Sequence, residues 1–375
     1  MTPPTGALAS RLDRVHQRMD ASGVDAVLLS LGADLPWLTG YEAMPLERLT
    51  MLVVPPAAAG AAATLVVPEL EAPRVVPVPE VFTTRAWGET EDPVAIVASL
   101  VKAFAGAAPA LAVSDRAWAT FVLRLQSSLP GARWRAASEL TAPLRALKDD
   151  AELDALTRAA AAADRVAGSL LGGEIQLLGR TERQVSAELS RRLLEEGNER
   201  VNFTIVASGP NAASPHHEPA NRVIEAGEPV VCDFGGSLDG YCSDMTRTVF
   251  TGVPSPELRH IYEVVAEAQV AGVKAGEPGS PCSAVDDAAR QVISRAGFGD
   301  YFVHRTGHGI GLEVHEEPYM VAGNRAPIAP GHVFSVEPGI YLPGRGGVRI
   351  EDVVAATSGG PRVLNGADRA ITVVC

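Results

Sequence analysis

The 375-residue sequence has few cysteines, no long apolar run and a deficit of positive charge. Its four cysteines show no C-x-x-C spacing and are too few for a disulfide framework, so a reducing compartment fits them better. Basic residues number 32 against 45 acidic ones, and the net charge of −13 argues against a nucleic-acid partner, because phosphate binding needs a basic surface. No run approaches the roughly 18 apolar residues of a membrane helix, and residues 1–20 lack the apolar segment of a signal peptide. We therefore expect a cytoplasmic protein that binds neither membrane nor nucleic acid.

The length predicts about two domains, and a hydrophobic content of 46% with 21% charged residues is typical of globular proteins. The first half alternates helical and strand-like patterns, which predicts a small α/β domain over residues 1–145. We expect helices near 6–21, 91–105 and 116–128, strands at 25–30, 50–55, 64–68 and 110–115, and loops at 33–50 and 55–63.

Pro143 can end an element, and leucines then recur at helical spacing amid charge, so the domain boundary is predicted near residue 145. Helices are expected near 148–172, 182–196, 255–275 and 283–297, alternating with β-rich segments. Seven of the eight histidines and all four cysteines lie in this second half, over 146–375, which should therefore carry the chemistry.

Two segments of the second half place acids in apolar surroundings. The segment 230–250 is predicted to form two antiparallel strands, joined by a loop that contains Gly235, Gly236 and a turn at 239–240. In this hairpin Asp233 ends an apolar run and Asp244 lies on the returning strand. In 332–354, Glu337 closes the run VFSV and Glu351 interrupts VRIEDVV, with a hairpin connection at 343–347. Four converging carboxylates repel one another, and at least two would be protonated near pH 7 without compensating cations.

Two divalent cations would neutralise four carboxylates, and a histidine from HRTGHGIGLEVH (304–315) would complete the ligand set. Oxygen ligands with a single imidazole favour Mn²⁺, with Co²⁺, Fe²⁺ or Zn²⁺ as alternatives. Each feature has an ordinary alternative, because single strand acids are commonly edge-exposed and single histidines are commonly hydrogen-bonded structural residues. Cys232 and Cys242 are expected in the core, and Arg247 as a structural ion partner.

Four segments together carry a specific resemblance: DFGGSLDGYCSDMTRT (233–248), HRTGHGIGLEVH (304–315), EPGIY (337–341) and RIED (349–352). In order and spacing they resemble the pita-bread metallopeptidases, which include methionine aminopeptidase, aminopeptidase P and prolidase. The first half is more loosely similar to the creatinase-type N-terminal domain. The resemblance implies an α/β (α+β) fold with a creatinase-like N-terminal domain over 1–145 and a pita-bread catalytic domain over 146–375.

Carried onto this sequence, the resemblance implies two bound ions. Asp233 would chelate one ion, His308 and Glu337 would bind the other, and Asp244 with Glu351 would bridge both.

The resemblance also implies catalytic residues around the ions. Glu337 would act as the proton shuttle, His315 would hydrogen-bond the oxyanion, and His304 would contact the proline side of the substrate. His216 would stabilise the same oxyanion intermediate, although the adjacent His217 leaves open which of the two histidines has this role. Arg349 would orient a bridging carboxylate.

The resemblance implies hydrolysis of the Xaa-Pro bond in small peptides with proline at the second position. An Xaa-Pro dipeptidase (prolidase) is favoured, with aminopeptidase P acting on longer peptides as the alternative and a metal-free binding protein on the same scaffold as a remote one. Arg48, in the N-terminal half, is a candidate for recognising a substrate terminus, because a guanidinium suits a carboxylate. The family also implies a homodimer.

Overall fold

The computed structural model describes residues 4–374, which divide into two compact units, one ending at Arg145 and one beginning at Ala146. Three of the four cysteines are buried free thiols, and Cys375 lies outside the described residues. Among residues 4–374, no helix combines the length and the apolar character that crossing a bilayer requires.

The N-terminal unit is a six-stranded mixed sheet with helices. Its sheet order is β4-β3-β2-β1-β5-β6. Its strands are β1 Ala26–Leu29, β2 Met51–Val54, β3 Ala63–Pro68, β4 Phe82–Trp87, β5 Ala110–Val113 and β6 Arg133–Ala136. Its helices are α1 Thr5–Ser22, α2 Asp34–Thr39, α3 Pro93–Phe104, α4 Ala119–Ser128 and α5 Ser138–Ala146.

The predicted elements of this half are confirmed, because apolar runs became buried strands and amphipathic patterns became helices. Strands β4 and β6 and helix α5 were not predicted, since exposed polar residues interrupt their apolar pattern. The expected loop at 33–50 is partly wrong. Residues Asp34–Thr39 form a short helix, which ends where Gly40 adopts a left-handed conformation with φ of 69°.

Pro143 was expected to end an element, and this expectation is wrong. It lies inside α5. A proline there removes one N–H donor, yet the helix continues to Ala146.

The C-terminal unit contains four helices and eleven strands within the described residues. The helices, all predicted, are α6 Asp150–Leu171, α7 Glu182–Glu195, α8 Pro256–Ala275 and α9 Ser283–Arg295. The strands are β7 Arg200–Ser208, β8 Pro229–Leu238, β9 Tyr241–Cys242, β10 Met245–Phe250, β11 Gly307–Gly309, β12 Glu316–Met320, β13 Val333–Val336, β14 Gly339–Leu342, β15 Gly346–Arg349, β16 Asp352–Thr357 and β17 Gly360–Val363.

These strands form two larger sheets and a hairpin, as antiparallel pairs. One sheet has the order β10-β8-β7, with β9 pairing with β8, and the other has the order β12-β11-β13-β16-β17, while β14 and β15 pair alone. Apolar side chains of α6 and α7 pack against β8 and β10, and those of α8 and α9 pack against β14 and β15. The helices thus bury one side of the sheets that carry the predicted acids.

The segment 230–250 departs from the prediction at two points. Gly235 and Gly236 lie inside β8 rather than in a loop. Close neighbours explain the two glycines, because a Cβ at Gly235 would overlap the Ser243 carbonyl oxygen and a Cβ at Gly236 would overlap the Asn198 side chain. The turn is at 239–240, as predicted. Asp244 lies immediately before β10 and not within the strand.

Candidate active site

A cavity of about 520 Å³ opens in the C-terminal unit, and polar groups converge on it. Its lining includes all nine site residues that the sequence predicted in this half: His216, Asp233, Asp244, His304, His308, His315, Glu337, Arg349 and Glu351. Its remaining lining residues are Phe203, Ile205, Pro215, Arg305 and Val314. Residues more than 100 positions apart in the sequence therefore share one cavity.

The first pair of acids is presented by the β8–β10 ladder. Asp233 pairs in register with Thr246, two residues beyond Asp244. Both carboxylates are buried, with 8% and 3% exposure. The alternative of solvent-exposed edge acids is therefore wrong for this pair.

The second pair is brought together by the β13–β16 ladder. Val336 pairs with Asp352, so Glu337, which follows β13, lies next to Glu351, which precedes β16. The chain between them forms the predicted hairpin β14–β15. The register of two strands, rather than the hairpin turn itself, therefore places the two carboxylates side by side.

His308 projects from the centre of the short strand β11, which lies between β12 and β13. A Cβ at Gly307 would overlap the Ser335 carbonyl oxygen, and one at Gly309 would overlap the Glu317 carbonyl oxygen. Glycine on both sides therefore lets the two neighbouring backbones approach. The Nδ1–H group of His308 donates to its neighbour's carbonyl oxygen, Gly309 O, at 3.1 Å.

That hydrogen bond leaves Nε2 of His308 as the nitrogen with a free lone pair. Nε2 lies 3.5 Å from both Asp244 Oδ2 and Glu337 Oε1. One ligand atom from each of Asp244, His308 and Glu351 falls within 4.8 Å of the others, and all three residues are buried. A single cation can therefore be reached by the imidazole and two carboxylates.

Asp233 supplies a further observation that suits a cation. Its Oδ2 is paired with Arg349, but its Oδ1 is buried and has no hydrogen-bond partner within residues 4–374. An unpaired buried carboxylate oxygen is costly unless a cation or another donor completes it. The donor set of four carboxylates and one imidazole fits hard or borderline divalent ions.

The electrostatics of Asp244, Glu337 and Glu351 match the expected crowding of acids. Burial and the negative charges of the neighbouring acids raise the pKa values of Asp244 and Glu351 well above their usual range. Burial raises the pKa of Glu337 to about 8, against the opposing positive charge of Arg349. Burial, with a contribution from His315, lowers the pKa of His308 to about 3, so the imidazole is neutral. Bound cations would reverse the penalty on the carboxylates.

Arg349 is the buried cation of the cavity wall. Its Nη2 donates to Asp233 Oδ2 at 2.6 Å, and its Nε donates to Thr246 Oγ1 at 3.0 Å. Thr246 in turn donates to Glu351 Oε2 at 2.7 Å. The guanidinium therefore holds one acid directly and a second through a threonine hydroxyl.

Tyr341 connects Arg349 to His304 and was not predicted from the sequence. The Nη1 of Arg349 donates to the Tyr341 hydroxyl at 2.9 Å, and that hydroxyl donates to His304 Nε2 at 2.8 Å. His304 Nδ1–H donates to Arg305 O at 2.8 Å. Burial lowers the pKa of His304 to about 4, so both nitrogens of its neutral ring are engaged.

His216 and His315 line the same cavity, and the structure records no hydrogen bond for either ring within residues 4–374. The ring of His315 lies 4.0 Å, centroid to centroid, from that of His308. Burial and the charge of Arg305 lower the pKa of His315. Each of the two rings can therefore offer an N–H group to a ligand.

The adjacent His217 is engaged elsewhere, since its Nε2–H donates to Glu182 at 2.8 Å. His216 is thus the histidine of this loop that reaches the cavity. Glu182 and Arg305 carry no motif of their own, and the sequence offered no signal for them.

The two arginines expected outside the ion cluster have different surroundings. The buried guanidinium of Arg247 donates to Asp352 at 2.8 Å and to four backbone carbonyls, as a structural residue would. Arg48 lies in the N-terminal unit, where its guanidinium is 3.1 Å from Glu89 and 4.0 Å from Glu47.

The sequence of this chain matches two family descriptions. Residues 154–358 match "Metallopeptidase family M24", and residues 11–147 match "Creatinase/Prolidase N-terminal domain". The chain belongs to metallopeptidase family M24. The predicted family and the predicted fold, a creatinase-like domain followed by an M24 domain, are thereby confirmed.

Relatives of this M24 peptidase align over nearly its whole length. It is 42% identical to a probable dipeptidase PepE of Mycobacterium bovis, with 94% of this chain and 93% of the relative covered. It is 34% identical to an Xaa-Pro dipeptidase of Lactobacillus helveticus, with coverage of 97% and 98%. The crystal structure of a prolidase from Thermococcus sibiricus is similar with a TM-score of 0.90 and 36% identity, covering 96% of this chain and 97% of that one.

Proposed function

We propose that this chain is a dinuclear metal-dependent Xaa-Pro dipeptidase that hydrolyses dipeptides with proline at the second position. The observation that carries the proposal is the convergence of four acids and one neutral imidazole on a single cavity. Membership of a metallopeptidase family and the similarity to relatives named Xaa-Pro dipeptidase and prolidase support it.

We propose Asp233, Asp244, His308, Glu337 and Glu351 as the ligands of two divalent ions, with Asp244 and Glu351 shared between them. Oxygen-dominated ligation favours Mn²⁺, with Co²⁺, Fe²⁺ and Zn²⁺ as alternatives. Such ions supply Lewis-acid activation of the scissile carbonyl group and of the attacking water.

The side chains around the ligands would then perform the remaining tasks. Glu337 would accept a proton from the attacking water and deliver it to the leaving imino nitrogen. His216 and His315 donate N–H groups to the developing oxyanion. His304, whose nitrogens are both engaged, contacts the proline side of the substrate through its ring.

Arg349 has a supporting role in the proposed site. It neutralises part of the acidic cluster and orients Asp233 directly and Glu351 through Thr246. Carboxylate ligands held by a fixed hydrogen-bonding partner keep their geometry when substrate binds and leaves.

The proposal is tested by comparing an Xaa-Pro dipeptide with the matching Xaa-Pro-Yaa tripeptide after reconstitution with Mn²⁺. We expect hydrolysis of the dipeptide and little or no hydrolysis of the tripeptide. Equal or faster tripeptide hydrolysis would identify the chain as an aminopeptidase P. A protein that binds no ion and cleaves neither peptide would be a binding protein on this scaffold.

We further propose that the enzyme is cytoplasmic and homodimeric.

A further inference from the structure

The loop over residues 208–220 carries His216, and both of its ends are bound to one carboxylate. The backbone N–H and the hydroxyl of Ser208 each donate to Glu182 Oε1 at 2.8 Å. At the other end of the loop, the backbone N–H of Ala220 donates to Glu182 Oε2 at 3.0 Å. Asn211 donates its side-chain amide to the same carboxylate at 3.0 Å. Glu182 thus joins the two ends of the loop.

Glu182 is the first residue of α7 and is fully buried. Burial by itself would raise its pKa, but hydrogen bonds from His217, Ser208 and Asn211 outweigh burial and lower the pKa. The carboxylate is therefore ionised and acts only as an acceptor. A buried anion with this many fixed donors holds its partners in one arrangement.

The residues on both sides of His216 are anchored, while His216 itself is not. On one side, the Pro215 carbonyl oxygen accepts from Arg349 Nη1 at 3.3 Å. On the other side, the ring of His217 donates to Glu182 Oε2 at 2.8 Å. The His216 ring, which makes no hydrogen bond within the described residues, is left to face the cavity.

We propose that Glu182, acting through His217, is a positioning residue that sets the direction in which His216 enters the active-site cavity. The proposal deepens the proposed function and rests on it for the catalytic role of His216. Neither Glu182 nor His217 lines the cavity, so neither is assigned contact with the substrate.

The test compares two substitutions of His217 in the holoenzyme. His217→Leu cannot donate to Glu182, whereas His217→Gln keeps a donor on a side chain of similar reach. We expect His217→Leu to lower kcat about tenfold, the usual effect of losing one hydrogen bond to a charged group, with KM changed much less. His217→Gln should restore most of kcat. Loss of packing alone would affect both variants alike and would overturn the proposal.

A double-mutant cycle decides whether the effect passes through His216. If His217 acts by positioning His216, then His217→Leu should have almost no further effect on kcat in a His216→Ala background. Independent, multiplicative losses in kcat would overturn the proposal. His260→Leu is the matched control, because His260 is an exposed histidine of α8 whose ring lies at a tilt against that of Phe298. It should leave kcat unchanged.

Hydrogen exchange provides a readout that needs no activity. In His217→Leu and in Glu182→Gln, amide exchange within 208–220 should rise at least about tenfold relative to the wild type, while exchange in α8 and β16 should not change. Unchanged exchange in the loop would overturn the anchoring role even in an active enzyme. If the wild type cleaves no Xaa-Pro peptide but the loop exchange rises, the proposed function fails and the anchoring role stands.

Discussion

Arg349 and Asp233 form a buried ion pair, with Nη2 and Oδ2 2.6 Å apart, on the wall of the cavity. The guanidinium uses its other nitrogens on Thr246, Tyr341 and the Pro215 carbonyl. It therefore links an expected metal ligand to Tyr341, which bonds His304, and to Pro215, which precedes His216. A lysine ammonium could not satisfy these partners together, because it lacks the planar arrangement of donors.

We therefore expect Arg349→Lys to weaken Mn²⁺ binding about tenfold and to lower kcat/KM about 100-fold, as losses of supporting contacts at metal sites do. Isothermal titration of the ion and steady-state kinetics measure the two effects. Arg345→Lys, an exposed change in the same hairpin where Arg345 pairs with Glu257, serves as control. Equal Mn²⁺ affinity and equal kcat/KM in the two variants would contradict the role assigned to Arg349.

Asp244 is expected to hold both ions, so its neutralisation should affect the ion content directly. We expect Asp244→Asn to bind fewer than two Mn²⁺ per chain at concentrations that saturate the wild type and to lose nearly all activity. Equilibrium dialysis with elemental analysis measures the content. Asp239→Asn lies in the same β-hairpin region, at a turn residue with φ of 53° that asparagine also tolerates, and should retain both ions.

Glycine at position 307 is required by the close approach of β13 to β11. A Cβ there would overlap the Ser335 carbonyl oxygen, and backbone cannot move aside as a flexible side chain can. We expect Gly307→Ala to lower the free energy of unfolding by about 3 kcal/mol. Gly168→Ala, in an exposed position of α6 with no atom near the added Cβ, should instead raise it by about 1 kcal/mol. Denaturant unfolding of both variants tests the contrast.

The pKa of Glu182 predicts how its contribution to stability depends on pH. Although burial opposes ionisation, the hydrogen bonds hold the folded-state pKa below the ordinary value of 4.5. The stabilisation that the ionised Glu182 carboxylate provides is therefore complete above the ordinary pKa and is lost as pH falls through the folded-state pKa. We expect the stability difference between wild type and Glu182→Gln to be largest near neutral pH and to shrink in acid. A difference that grew on acidification would contradict this assignment.

Two arginines are candidates for the group that recognises the terminal carboxylate of a dipeptide. Arg305 lines the cavity, and its guanidinium stacks on Tyr319, 4.4 Å from the ring centroid, with no ion pair recorded for it within the described residues. Arg48 instead has an acidic partner, Glu89. We expect Arg305→Ala to raise KM for an Xaa-Pro dipeptide about tenfold or more, the scale of a lost charged hydrogen bond. If Arg48→Ala raises KM and Arg305→Ala does not, Arg48 is the recognition residue.

Most of the helices and strands could be predicted because local periodicity reports which face of an element is buried. The elements that were missed, such as β4 and β6, have exposed polar residues inside short strands and so lack a local signal. Gly235 and Gly236 were assigned to a loop because glycine usually marks turns, whereas here close neighbours across the sheet explain them.

The amino-acid sequence alone determined which chemical groups are available: four acids placed where apolar residues were expected, and histidines in a glycine-rich segment. The resemblance of four segments to a known family predicted that these groups share one site, and only the tertiary structure decided through which contacts they meet. Strand register brings Glu337 beside Glu351, and contacts between residues distant in the chain join Arg349 to Asp233 and His217 to Glu182. Such pairings depend on packing between elements, and local sequence patterns carry no information about it.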